Sequence, residues 1–403
     1  MSDSSSEGWT TALVQDIASE APHSIAIGPF GSRLKAELYV DEGFPVIRGQ
    51  DIGPGKNLLD RNLVYVPDAI ADSLSSCVVV QGDLIFPHRG AIGQVGIVGG
   101  RSFLLSSSMM KLTCNQDLID PEYLFYYFRG PGRDELLTRA STVGTPGIGQ
   151  PLKSLRGIPV RYPRLSQQRA IAEVLGALDD KIAVNTMLID AAQKLAITLI
   201  SDRRPSVSLS EVVVHRKKTI APDGISDALV EHFSLPAFDQ NAMPERVSPT
   251  EIKSSKFVIE KPSVLVSKLN PRFPRVWDVQ KIPVLPALAS TEFLVLEPLY
   301  SSTTVLWAML LQPAFGSSLQ GKVAGTSGSH QRVKPSDLLE TLVVDPRDLE
   351  DKLCTTVTAA GAAVSSARNE NVKLAATRDA LLPQLMSGAI RIKDAEKAIE
   401  EVV

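Results

Sequence analysis

Cysteine is scarce in this sequence and never paired. Cys77, Cys114 and Cys354 are the only three in 403 residues, and no Cys-x-x-Cys occurs. That excludes a disulfide framework and suits a reducing cytoplasm, with the thiols packed as small apolar side chains. The five histidines, His23, His88, His215, His232 and His330, lack metal-ligand spacing, so no metal site is expected. Long hydrophobic runs are missing too. The longest, from Val305 to Leu311, falls far short of the roughly 18 residues a membrane span requires. The start, MSDSSSEGW, has neither a basic region nor an apolar stretch, so no secretory signal is expected. Positive charge is not in excess either. The formal net charge of −3 argues against a freestanding, tight nucleic-acid binder.

Catalytic signatures are equally hard to find. There is no GxSxG, no HExxH and no phosphate-binding P-loop. The stretch from Gly90 to Gly96 is glycine-rich, but no helix-forming segment follows it, so it reads as a turn between strands. Asn270-Pro271-Arg272-Phe273 looks like a degraded form of the Asn-Pro-Pro-aromatic motif of adenine amino-methyltransferases. The glycine-rich cofactor loop and alternating βαβ units which that chemistry needs are missing. The reading is a non-catalytic binding chain that carries no cofactor of its own.

What is present is a repeating helical pattern. The run Leu165 to Leu199 contains no proline and one glycine. Its apolar residues Ile171, Leu175, Leu178, Ile182, Ile189, Ala192, Ala196 and Leu199 alternate four and three apart, with the polar Asn185 in step. That spacing draws one narrow seam along a helix about 50 Å long, which needs a partner helix. Leu353, Val357, Ala360, Val364, Ala367, Asn371, Leu374, Leu381 and Leu385 keep the same rhythm further on. An antiparallel pairing with matched seams sets Ile171 near Leu381 and Ile182 near Asn371. A polar seam residue such as Asn185 or Asn371 commonly fixes register at a cost in stability.

Each seam follows a globular segment of mixed α/β character. In the first, short runs such as FPVIRG and MMKLTC are separated by turn residues, and Asp120-Pro121 opens an apolar helix, PEYLFYYF. The second repeats the plan with TTVLWAMLL. The loops GTPGIGQPLK and GTSGSHQRVK align Gly144 with Gly325, Gln150 with Gln331 and Lys153 with Lys334. Two features near one offset indicate a domain-scale duplication. The expected division is 1–163, a helix over 164–206, 207–346, a second helix over 347–391 and a tail over 392–403. Basic residues cluster at corresponding places, with eight Lys or Arg against two acids from Arg129 to Arg169 and seven against two from Ile252 to Lys281. The loops carry Arg33, Lys35, Arg48, Gln50, His88 and Arg89 in the first segment. In the second they carry Lys268, Asn270, Arg272, Arg275, His330, Gln331 and Arg332. Such groups pair with phosphates or read base edges in duplex DNA.

With these pieces assembled, GPFGSRLKAELYVDEGFPVIRGQDI, GDLIFPHRGAIGQVGIV, YPRLSQQRAIAEVLGALDDKI and LLPQLMSGAI resemble the specificity subunits of type I restriction–modification systems. The resemblance implies an α/β (α+β) fold of two duplicated target-recognition domains, separated by two long antiparallel coiled-coil helices with pseudo-two-fold symmetry. It implies a bipartite, asymmetric double-stranded DNA site and docking of two modification (methyltransferase) subunits and of restriction (motor–nuclease) subunits. S-adenosylmethionine would then belong to the modification subunits, and ATP and Mg to the restriction subunits. One departure stands out: the second helix begins DPRDLEDKLCTT where the first has PRLSQQRAIAEV. Two other readings remain: a stand-alone DNA methyltransferase or nuclease with fused recognition domains, and a coiled-coil assembly protein with no DNA role.

Overall fold

A computed structural model describes residues 8–30, 33–60, 62–141, 144, 146–272, 274–322 and 331–400. They form two compact units. One holds the chain up to Val184 and again from Glu370 on; the other holds residues 185–369.

The strands of the first unit are β1 (Thr10–Leu13), β2 (Ile25–Ile27), β3 (Phe44–Ile47), β4 (Val64–Val66), β5 (Val78–Val79), β6 (Leu84–Pro87), β7 (Gly96–Ile97), β8 (Phe103–Leu105), β9 (Met109–Leu112) and β10 (Pro159–Tyr162). One sheet runs β2-β9-β6-β7, antiparallel throughout. Another runs β4-β3-β8-β5, with β3 and β8 parallel. β1 pairs with β10, Thr10 opposite Tyr162. Strands β6 and β9 are buried on both faces because two cores flank them. Alternation sends Leu84, Phe86, Met110 and Leu112 into one core, and Ile85 and Met109 into the other.

The helix Pro121–Arg129 starts where the Asp120 carboxylate accepts the Tyr123 backbone N–H at 3.0 Å. This cap satisfies a donor that the first turn leaves open. The first long helix is Leu165–Ser201 and the second Asp351–Ser387, 37 residues each. Within this unit the start of the first meets the end of the second. Ile171, Leu175 and Leu178 share a core with Leu374, Leu381 and Leu385, which requires an antiparallel course. Asn371 donates its side-chain N–H to the Ile182 carbonyl at 3.5 Å, in the expected register. By length and composition the first long helix would also cross a membrane. The core helix of a soluble protein meets the same measure, and Ile171, Leu175 and Leu178 of this helix are buried in the first unit's core.

The second unit repeats this order with one strand added. Its strands are β11 (Val207–Ser208), β12 (Val213–Arg216), β13 (Thr219–Ile220), β14 (Val230–Phe233), β15 (Glu245–Val247), β16 (Lys256–Val258), β17 (Ser263–Ser267), β18 (Val276–Val279), β19 (Ala287–Ala289), β20 (Phe293–Pro298) and β21 (Leu342–Val343). The sheet β12-β20-β17-β18 matches β2-β9-β6-β7. In the other sheet, β15-β14-β19-β16 matches β4-β3-β8-β5, including the parallel pair β14/β19, with β13 as an added edge. β11 pairs with β21 as β1 does with β10. The helix Thr303–Leu310 is capped by the Ser302 hydroxyl and buried along its whole length. Ala192 and Ala196 share its core with Val357, Ala360 and Val364, and Ile189 packs against it. Asn185 is buried at 3% exposure.

Two expectations are revised. Residues past 391 do not trail as a tail: Ile392–Glu400 is a helix that buries Ala395 and lays Ile392, Ala398 and Ile399 on the first unit's core. The pairing of the glycine-rich loops shifts by several residues. The N–H of Ile148 donates to the His88 carbonyl at 2.9 Å, as that of Val333 does to Lys268 at 3.0 Å. Ile148 therefore corresponds to Val333, and Gln150 and Lys153 do not correspond to Gln331 and Lys334. Gly325, Thr326 and Gly328 lie outside the described residues. The unlike helix starts also have a cause. Gln168 is fully buried, accepts the Asp120 N–H at 2.8 Å and donates to the carbonyls of Leu118 and Pro163. The second long helix replaces this brace with a short turn, Pro346–Asp348, capped by Asp345.

Candidate nucleic-acid interface

The loop after the central strand of each antiparallel sheet is built the same way. After β6 the chain turns at Gly90, and after β17 at Asn270, both left-handed with φ of 80° and 51°. Glycine takes this conformation without steric cost, and asparagine is among the few other residues that adopt it readily. Both residues donate their backbone N–H to the glycine-rich loop, Gly90 to Pro146 and Asn270 to Gln331, each at 2.9 Å. Single-residue bridges, Arg89 to Gly147 and Leu269 to Arg332, complete the match. Two backbone-pinned platforms result, one per unit. In the first, Gly93 sits where an added Cβ would lie 3.1 Å from the Leu137 side chain, which seats that loop on the helix Pro131–Thr138.

The candidate side chains divide by what they touch. Arg89 and Arg272 are exposed and make no ion pair among the described residues. Arg33 and Lys35 are exposed on the loop that leads into the turn Ala36–Leu38, and Gln50 is exposed in the turn Gly49–Asp51. Lys268 and Gln331 are half-buried beside the second platform.

Three arginines serve as braces. Arg48 grips Asp51 at 3.2 Å and donates to the Asn62 carbonyl at 2.6 Å. Arg275 forks onto Asp239 at 2.6 and 2.9 Å, tying the β17–β18 loop to the helix Leu235–Asn241. Arg332 forks onto Glu292 at 2.8 and 3.2 Å while remaining exposed. A guanidinium matched bidentately to a carboxylate is held in place, and a base edge would have to displace that partner.

His88 does not face a ligand, which corrects its assignment as a DNA contact. Its ring is buried, with Nε2 3.1 Å from the Ser107 carbonyl. Burial pushes its pKa below the usual histidine value, helped by the Arg89 charge. The alternation of β6 explains this, because His88 continues the inward-facing row of Leu84 and Phe86. Asn270 also serves the turn first, and its side-chain oxygen is buried without a partner. His330 lies outside the described residues.

The sequence reading missed one cluster altogether. Asp179, 1% exposed, accepts from the Tyr126 hydroxyl at 2.9 Å, from Arg129 at 3.1 Å and from Arg378 at 2.5 Å. Burial and the Arg378 charge push the Arg129 guanidinium down. Arg378 is raised: burial opposes this, but its bonds to Asp179 and Asp379 prevail. The available signal was an Asp one turn after Leu175 on the apolar face, where a carboxylate needs a buried cation.

The fold and loops define a duplicated-domain protein with seam helices and two matched loop platforms. Among known proteins, residues 31–194 match the family model described as the type I restriction modification DNA specificity domain. A curated relative is the "Putative type I restriction enzyme MjaX specificity subunit" of Methanocaldococcus jannaschii, 27% identical over 159 residues. That match covers 38% of this chain and spans 37% of the relative's length. In fold, the chain is similar to the crystal structure of the type-I restriction-modification system S subunit from M. genitalium. The TM-score is 0.58 at 14% identity, covering 94% of this chain and 96% of that one. The family resembled in sequence is thus the family of the matching relatives, and the fold is shared along nearly the whole chain.

Proposed function

We propose that the chain is a specificity subunit of a type I restriction–modification complex. It reads a bipartite, asymmetric duplex site and scaffolds the subunits that carry the chemistry. The observation that carries this reading is the duplicated strand order with matched loop platforms, Gly90 on Pro146 and Asn270 on Gln331. Two equivalent platforms with different side chains suit a site of two unequal halves. With a net charge of −3, the chain alone makes few phosphate contacts and binds weakly.

Partner docking draws support from the first long helix, where Met187, Leu188 and Leu195 form an exposed apolar ridge at helical spacing. Soluble chains rarely leave such a ridge bare without a partner. In this reading the partners are two modification subunits with S-adenosylmethionine, and restriction subunits with ATP and Mg. The chain itself is non-catalytic and works in the cytoplasm. Incubating the purified chain with labelled S-adenosylmethionine and mixed DNA should transfer no methyl group until modification subunits are added. Transfer by the chain alone would refute the non-catalytic assignment.

A further inference from the structure

Each platform offers one arginine that makes no ion pair among the described residues. We infer that Arg89 and Arg272 are the specificity-determining residues, each reading a guanine edge in its own half of the two-part site. This deepens the proposed function and rests on it.

Three observations carry the inference. The first is elimination on the two platforms, since Arg33 and Lys35 lie on a different loop, before Ala36–Leu38. Arg48, Arg275 and Arg332 are each held by a carboxylate, and His88 is buried. Arg89 and Arg272 are exposed without an ion pair among the described residues, each on a pinned platform.

The second is preorganisation. Arg89 lies two residues past β6, is itself bridged to Gly147, and is followed by Gly90, whose N–H donates to Pro146. Arg272 lies between the pinned Asn270 and the Arg275–Asp239 fork, whose guanidinium side chain is only 20% exposed. A backbone fixed on both sides lets a flexible arginine form a bidentate contact with less ordering cost.

The third is their unequal placement. With Gly90 matched to Asn270, Arg89 corresponds to Leu269, and Arg272 to Ile92. One arginine precedes the left-handed residue and the other follows it. The same platform therefore presents its cation at two different points, as two unlike half-sites require. An arginine fork matches the O6 and N7 acceptors of guanine, whereas a lysine keeps the charge and loses the fork.

The test is selection from a randomised duplex DNA pool by the full chain assembled with modification subunits. It compares wild type with Arg89→Lys and Arg272→Lys. Neither substitution removes an ion pair within the protein, and unchanged thermal unfolding of each variant verifies the fold. Arg89→Lys should relax preference at one G·C pair in one half, by on the order of tenfold to a hundredfold. Arg272→Lys should do the same in the other half only. Unchanged motifs in both variants, or a wild-type half-site without a G·C pair, would overturn the inference while leaving the proposed function intact. A wild-type complex that enriches no two-part sequence would overturn both.

Discussion

Removing the Asp179 carboxylate should cost the first unit more than any other single polar change. Arg378 and Arg129 converge on it with side chains 9% and 19% exposed, so neither charge has water as an adequate substitute. Breaking a buried pair by deleting one partner typically costs about 3–5 kcal/mol, because an uncompensated charge stays behind. Here two like charges would face each other. For a unit of this size each kcal/mol lowers the melting temperature by roughly 2–4 °C, so Asp179→Ala should melt about 6–20 °C lower. Asp179→Asn should fare nearly as badly, since it keeps the shape and loses the charge. Recovery is expected from Asp179→Leu combined with Arg129→Leu and Arg378→Leu, because apolar replacement of a buried ion cluster is often neutral or stabilising. The second unit lacks this triad and instead keeps Asp278, bonded to Thr304, beside Gly361. Counted along the matched helices, Leu311, Ala196 and Gly361 stand where Arg129, Arg378 and Asp179 stand. Calorimetry and urea unfolding would measure the effect, and a loss for Asp179→Ala below about 1 kcal/mol would refute the reasoning.

The second unit yields a prediction whose sign decides the argument. Glycine to alanine inside a helix normally stabilises by about 0.5–1 kcal/mol. At Gly361, however, the new Cβ would lie 2.2 Å from Oγ1 and 2.4 Å from Cγ2 of Thr304, which is buried and bonded to Asp278 at 2.6 Å. Overpacking there should cost about 1–3 kcal/mol, so Gly361→Ala should lower the melting temperature; a rise would mean that the helix is not seated so closely. The burial of His88 predicts a pH effect. Its folded pKa is lowered, so the unfolded chain takes up the proton first and stability falls as pH drops below about 6.5. Replacing His88 with Gln should flatten the wild-type slope between pH 7 and 5, and an unchanged slope would contradict the assignment.

Much of this fold was legible because local and global signals agreed. The seam positions Ile171, Leu175, Leu178, Leu374 and Leu381 are buried as their spacing predicts, and Asp120-Pro121 starts its helix. The duplication was visible in the helices. The loop register was not, since repeated Gly-Thr pairs matched by identity where backbone bonds match Ile148 with Val333. The fate of the loop arginines was hidden for a different reason. Arg275 finds Asp239 and Arg332 finds Glu292 across 36 and 40 residues, distances at which only the fold brings charges together. The Asp179 cluster was hidden for the same reason, because its partners come from two other helices.

The central claim is that one chain reads a two-part DNA site through two matched platforms. Mapping methylated adenines in DNA from cells that carry this chain with modification subunits tests it most directly. One asymmetric motif is predicted: two specified parts of unequal sequence around an unspecified gap. A continuous or palindromic motif would contradict it.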